Sequence, residues 1–423
     1  MNNNSNYPDG IFNNTINGDF SHVNSVLQSL SNTDLINQFQ KFAQFKNIYN
    51  TNNYRLIKAI IGLANHFDSS NIIQVYRTIY NENINKLGNN RVLAPDPFHF
   101  LFYLLQFLHM EANNSPKNSD PNMLNSLTVE QKKNEDDVVT IFINYITSNH
   151  KDSIIFDYFF HSEENKFLCP NCGTYYDCEL ISIFKMPVAK ILEWRNRNFK
   201  EKINFNLTLD DCFKYYCQNN QRICQCNTSI NIYKKIFNWK YIIISFIRDS
   251  LGNNREIDFP INFDFSKFSA VTNGKNKYVL NSCISYMFYS GNKGIYISDV
   301  NFGLDSENGI WVRYMDKSKQ PQNSFQNIYQ YQPQMLIYRL IFDNFTQNQG
   351  QGENQSNMNN PSSSNYNVIQ FSNAINNQNY NNNNNNMNNQ YNMNANNQNQ
   401  NIYQQNMNMN GNHFNNDNLY RVN

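Results

Sequence analysis

Apolar positions recur at helical spacing through the first part of the chain. Val23, Val26, Leu27 and Leu30 follow the i, i+3, i+4, i+7 pattern, and Leu101, Leu104, Leu105 and Leu108 repeat it. That spacing gathers each set on one face of an amphipathic helix, so the first 113 residues read as helical. Residues 115–137 are polar, with Pro116, Pro121 and a charged run, and predict a long surface loop. Beyond Trp239 the period changes. Tyr241–Ile247 is nearly continuous apolar, as a buried strand would be, and residues 257–265 largely alternate with period two. Residues 278–286 and 335–342 are further strand candidates. Helices first and sheet afterwards predict an α+β fold.

Composition alters this picture at one end. Of the 77 residues from Gln347 to Asn423, 33 are Asn, and only Glu353, Asp417 and Arg421 are charged. So little apolar side chain cannot offset chain entropy, and a disordered Asn/Gln-rich tail is predicted over 347–423. Asn/Gln runs carrying Tyr and Met can self-associate, but Asn is abundant throughout this chain, which favours an inert tail. The 34 Lys+Arg against 33 Asp+Glu give a net charge of +1, without bulk attraction to nucleic acid or acidic membranes. The apolar runs 100–105 and 241–247 fall far short of the roughly 20 residues that span a bilayer. The Met1–Ser5 start has neither the basic nor the apolar region of a secretory signal. The expectation is a soluble intracellular protein, cytoplasmic or nuclear, with no membrane or direct nucleic-acid partner.

Cysteine and histidine are segregated. All eight cysteines lie between Cys169 and Cys283, and six of seven histidines lie between His22 and His161, the seventh being His413 in the tail. In a reducing compartment a disulfide framework is disfavoured, which leaves metal binding or buried inert thiols. Cys169-Pro-Asn-Cys172-Gly173 has the form of a zinc knuckle, and Cys224-Gln-Cys226 begins 52 positions after Cys172. Paired thiolates on tight turns suit one tetrahedral zinc. A structural zinc held by Cys169, Cys172, Cys224 and Cys226 is therefore expected, with Cys178, Cys212 and Cys217 as spare candidates.

These motifs occur in an order that resembles the ubiquitin-specific protease family, over about residues 10–346. Asn24-Ser-Val-Leu-Gln-Ser-Leu-Ser-Asn32 is similar to the helix that follows the family's nucleophile. Pro95-Asp-Pro-Phe-His-Phe100 resembles its Gln-Asp-Ala-x-Glu-Phe box, with His99 where Glu is usual. The two cysteine pairs fall where its zinc-binding fingers lie, flanking Leu209-Asp-Asp-Cys-Phe213. The 241–248 strand ending in Arg248, Ile257-Asp-Phe-Pro260 and Tyr278-Val-Leu280 follow in family order. The resemblance implies a papain-like hand: a helical thumb over about 10–150, zinc-binding fingers over 165–235 and a sheet-rich palm over 236–346.

It also implies a Cys nucleophile, a late His and an orienting Asp or Asn. Carried over by position, these roles fall on Ser21, Ile295 of Gly294-Ile-Tyr296, and Met315 after Trp311-Val-Arg-Tyr314, with Asp316 one step later. None keeps the required chemistry. No Cys precedes Cys169, and no His lies between Ser162 and Asn412, so no neighbouring residue supplies the missing thiol or imidazole. The interval from Gly10 to Ser21 is also about three residues longer than the family's, at the turn that supports the oxyanion. The expectation is a catalytically inactive scaffold that binds ubiquitin or a protein complex. The alternatives are a structural subunit without ubiquitin contact and an active deubiquitinase with a rearranged site.

Overall fold

A computed structural model of the chain describes residues 20–50, 54–65, 75–76, 78–79, 96–113, 153–200, 206–218, 220–224, 226–237, 240–248, 257–269, 276–290, 293–303, 309–315, 318–322 and 325–341. Gly10, the 115–137 loop, Asp316 and the Asn/Gln-rich tail of the sequence reading lie outside the described residues.

The first helix, α1 (Ser21–Ser31), is buried on every side from Ser21 to Leu30. Its predicted apolar stripe is fully packed, with Val23 and Val26 at 0% exposure. Two of its hydroxyls bond back to the helix. Ser25 Oγ donates to the His22 carbonyl at 3.0 Å and Ser31 Oγ to that of Gln28 at 2.8 Å. The Pro97–Ala112 helix starts where the sequence instructs it to. Asp96 accepts the His99 amide at 2.9 Å as N-cap, and Pro97 occupies the first helical position, where no amide donor is needed. Near its end, the Glu111 carboxylate accepts the Leu56 and Ile57 amides at 2.9–3.0 Å. These are orphan donors of the Arg55–Asn65 helix, so one helix caps another.

Fourteen strands follow among the described residues. The first nine are β1 (His161–Cys169), β2 (Gly173–Ile181), β3 (Phe184–Pro187), β4 (Leu207–Thr208), β5 (Asn220–Ile223), β6 (Ser229–Phe237), β7 (Tyr241–Ile247), β8 (Ile257–Asp258) and β9 (Asn262–Asp264). The rest are β10 (Lys277–Ser290), β11 (Lys293–Asn301), β12 (Trp311–Met315), β13 (Ser318–Gln322) and β14 (Gln332–Leu340). A four-stranded sheet has the order β2-β1-β6-β5. The larger sheet runs β13-β12-β11-β10-β14-β7-β3, with β9 also paired to β10. It is antiparallel except where β3 joins β7.

The unbroken apolar run in β7 is explained by a core on each face. Tyr241 and Ile243 pack with the helices, while Ile242, Ile244 and Phe246 join a second core under the Leu209–Gln218 helix. β14 divides likewise, Met335 and Ile337 against Leu336 and Tyr338. Each such side chain stabilises the fold by roughly 1.5–3 kcal/mol relative to exposure. Residues 257–265 keep their predicted alternation in burial, with Ile257, Phe259, Phe263 and Phe265 inside. They form only the short β8 and β9, and Pro260 between them has no amide to give a ladder.

The Leu209–Gln218 helix opens with a reciprocal cap. Thr208 Oγ1 accepts the Asp211 amide at 3.1 Å, and Asp211 accepts the Thr208 amide at 3.2 Å. The base of the four-stranded sheet is tied to this helix by Glu163 on β1. Its buried carboxylate meets Lys234 Nζ at 2.6 Å and also accepts from the Tyr216 hydroxyl. Burial pushes the Glu163 carboxyl above its ordinary range against the pull of Lys234.

Candidate functional site

The site begins at the seam between α1 and β11. The Tyr296 amide donates to Ser21 Oγ at 3.1 Å, the Ser29 and Ser298 hydroxyls meet at 2.8 Å, and Asn32 Nδ2 donates to the Asn301 carbonyl at 2.5 Å. These contacts advance together along both elements, so helix and strand run side by side in the same sense.

Ser21 is thereby held beside Ile295 and Tyr296. Among the described residues β12 pairs with β11 from Ser298–Tyr314 to Asn301–Trp311, and Ser21 accepts the Tyr296 amide. The Ser21 side chain is buried, whereas Ile295 is half-buried. Gly294 before it has a structural reason: a Cβ there would collide with the Met287 carbonyl and sit 2.7 Å from the Tyr286 ring. Met315 ends β12 one step past the Ser298–Tyr314 pair, half-buried. Continuing that register sets it opposite Ile297, on the face that alternation gives to Ile295. The structure thus brings Ser21, Ile295 and Met315 to one end of the β11–β12 pair.

The described histidines are engaged elsewhere. His22 faces Phe20, Tyr76 and Phe100, with ring centroids 6.2–6.5 Å away. His99 Nδ1 lies 2.5 Å from Asp96 Oδ2, and His109 Nδ1 lies 2.6 Å from Ser153 Oγ. His161 is fully buried against Phe184, and burial pushes its pKa down to about 3, which leaves a neutral ring.

Next along the same strands is a bidentate ion pair that sequence reasoning missed. Asp299 on β11 and Arg313 on β12 are cross-strand partners. Arg313 Nε and Nη2 donate to the two Asp299 oxygens at 2.8 and 3.1 Å, and Nη2 also reaches the Asn327 carbonyl at 2.7 Å. Both residues are buried. Desolvation raises the Asp299 pKa to about 6 although Arg313 pulls it down. Arg313 sits inside the Trp311-to-Tyr314 motif, but the sequence pointed to no role for it or for Asp299.

The second centre lies at the far end of the four-stranded sheet. The β1–β2 turn carries Cys169 and Cys172, and the β5–β6 turn carries Cys224 and Cys226. Leu168 pairs with Asn231 near the ends of β1 and β6, so both turns emerge at the same edge. Gly173 with φ +90° and Asn227 with φ +63° let the two chains bend tightly behind the second cysteine of each pair. The four sulfurs all lie within 4.8 Å of one another, with Cys169–Cys226 at 3.5 Å and Cys172–Cys224 at 3.8 Å. A tetrahedral ion with bonds of about 2.3 Å separates its sulfurs by about 3.8 Å, so the group fits and can hold a metal ion.

The thiols influence one another strongly. Cys226 is pushed down to about 6, first by the Thr228 hydroxyl, and Cys172 up to about 12 by its three sulfur neighbours, Cys226 first. The spare candidates do not join the group. Cys178 lies in the helical core and Cys212 and Cys217 in the second core. Burial pushes the Cys217 thiol up to about 12, which suits the inert-thiol reading for these residues.

A buried N-terminal helix docked along a strand of a large sheet, with a separate cysteine-tipped sheet inserted between, defines a mixed α+β protein of the ubiquitin-specific protease type. The sequence profile of the ubiquitin carboxyl-terminal hydrolase family matches residues 12–338, and the chain belongs to that family. Solved structures agree on the fold. The SAGA DUB module of Ubp8, Sgf11, Sus1 and Sgf73 bound to monoubiquitin matches at 15% identity, TM-score 0.52, covering 79% of this chain and 70% of that one. A yeast SAGA DUB module with an Sgf73 mutant matches at 14% identity, TM-score 0.54, covering 79% and 69%. No curated protein sequence matches the chain. Among the described residues, no helix is long and apolar enough to cross a membrane.

Proposed function

We propose that this chain is a non-catalytic member of its family, a scaffold that binds ubiquitin or a partner protein. The observation that carries this reading is the α1–β11 seam. The position for the nucleophile is a serine spent on accepting a backbone amide, and its neighbours in place of the base and its orienter are Ile295 and Met315. None of these can form a thiolate, shuttle a proton or orient an imidazole.

In this reading the helices up to about residue 150 are the thumb, the cysteine-tipped sheet of about 165–235 the fingers, and 236–346 the palm. Structural zinc at Cys169, Cys172, Cys224 and Cys226 holds the fingertips. The outer face of the finger sheet offers Leu168, Ile223 and Tyr233, all exposed, as apolar contact area for a partner. The solved relatives lend support, since one carries monoubiquitin and companion proteins on the same fold. A cytoplasmic or nuclear location follows from a ubiquitin-related role.

The test uses the full chain. It should form no covalent adduct with ubiquitin bearing a C-terminal electrophile, yet bind monoubiquitin saturably in calorimetry. An adduct abolished by Ser21→Ala or by any single Cys substitution overturns the non-catalytic reading in favour of a rearranged active site. Absence of both adduct and binding leaves a structural subunit without ubiquitin contact.

A further inference from the structure

The four-cysteine group has polar neighbours that a bare ligand set does not require. Tyr175, three residues past Cys172 on β2, brings its phenol oxygen to 2.7 Å from Cys224 Sγ. Its ring stands beside Phe167, its cross-strand partner on β1, with centroids 6.0 Å apart. Thr228 Oγ1 lies 3.3 Å from Cys226 Sγ and is held in turn by Asn171 Nδ2 at 2.9 Å. The Cys172 amide donates to Cys169 Sγ at 3.4 Å.

Charge sets the direction of the Tyr175 contact. A metal-bound cysteine is a thiolate with no proton to give, so the phenol must be the donor. Four thiolates around a divalent cation also leave a net charge of about −2, and a donor aimed at a sulfur offsets part of it while fixing where the sulfur points. The phenol oxygen is well placed for this because both hairpins constrain it: β2 supplies the tyrosine, β1 holds its ring, and the β5–β6 turn supplies the sulfur.

We propose that Tyr175 is a positioning residue of the metal centre, its hydroxyl donating to the Cys224 thiolate and so strengthening metal binding. The proposal rests on the reading of the four cysteines as a metal site. Tyr175→Phe keeps the ring against Phe167 and removes only the oxygen. In the full-length protein, zinc affinity measured by chelator competition should fall roughly 10-fold in the variant, the lower end of what loss of such a supporting contact costs. With cobalt in place of zinc, the sulfur-to-metal charge-transfer band should move to lower energy, because the hydrogen bond no longer stabilises the sulfur lone pair.

Unchanged affinity and an unmoved band, in a variant that binds metal, would overturn the role of Tyr175 and leave the metal site standing. Failure of the unsubstituted protein to bind either metal would overturn the site and the proposal with it. Should Tyr175→Phe not fold, the unsubstituted protein loaded with ¹¹³Cd decides the matter. A scalar coupling between the Tyr175 hydroxyl proton and the metal, transmitted through Cys224, is expected, and its absence would overturn the hydrogen bond.

Discussion

Removing Arg313 tests whether the seam beside Ser21, Ile295 and Met315 is locked electrostatically. Asp299 and Arg313 join β11 to β12, directly beside the stretch that presents Ile295 and Met315. In the intact protein the Asp299 pKa lies at about 6, against an ordinary 3.8, first because of burial. A carboxyl raised in this way contributes stability that is fully present below about 3.8 and is lost as pH rises through about 6. The displacement of about 2 corresponds to about 3 kcal/mol at most. Replacing Arg313 with Met removes the guanidinium that donates to both oxygens. The carboxyl then protonates, so its electrostatic cost at pH 7 is set by the interval between about 6 and 7, about 1.4 kcal/mol, and with the lost contact to Asn327 the penalty is about 3 kcal/mol.

The penalty should shrink at low pH. Without Arg313 the Asp299 pKa rises further, so at pH 5 the carboxyl of the variant is neutral and most of the electrostatic cost disappears. What remains is the lost hydrogen bond to the Asn327 carbonyl and some packing, of order 1–2 kcal/mol. Urea unfolding of both proteins at pH 5 and pH 7 measures the difference directly, and Asp299→Asn in the Arg313→Met background should recover much of the loss at pH 7. A penalty that is equal at the two pH values, or below about 1 kcal/mol at pH 7, would refute the reasoning.

The proposed metal centre and the proposed loss of the triad give further tests. Elemental analysis of the unsubstituted protein should find about one ion per chain, and Cys169→Ser should release it and lower the melting temperature, because binding free energy of a structural metal is folding free energy. Freshly purified protein without metal would contradict this. Ser21→Cys alone should give no turnover of a ubiquitin–fluorophore substrate, since a thiol near its ordinary pKa of about 8.5 is only a few per cent thiolate at neutral pH and Ile295 cannot deprotonate it. Robust turnover by that single variant would mean a base exists that the geometry around Ser21 does not reveal.

Much of the fold was legible because burial imposes a period on the sequence. The stripes of α1 and the Pro97–Ala112 helix, and the two-faced burial of β7, were all read correctly from spacing. The four-stranded sheet was not. β1 reads His-Ser-Glu-Glu-Asn-Lys-Phe-Leu-Cys, with charged residues at positions that the structure buries, because Glu163 and Glu164 are answered by Lys234 and Lys235 from β6. Hydrophobic pattern cannot show that, since the compensation lies some 70 residues away in sequence. The Leu209–Gln218 helix was missed for a similar reason: Thr208 and Asp211 form its cap, but its short apolar face is shared with aromatic residues of distant strands.

The candidate site divides along the same line. The four-cysteine group was legible because its members come as close pairs, and the structure adds that the pairs share one edge. The positions assigned through the family pattern, Ser21, Ile295 and Met315, could be named from the sequence, but their contacts could not, because these depend on β11 lying against α1. Ser21 accepts the Tyr296 amide, while Ile295 and Met315 lie half-buried at the same end of the sheet. Active sites tend to concentrate groups whose protonation is displaced by a task. Here displaced groups such as His161, Glu163 and Asp299 are engaged in holding elements together, and Asp299 does so on the same strand that carries Ile295.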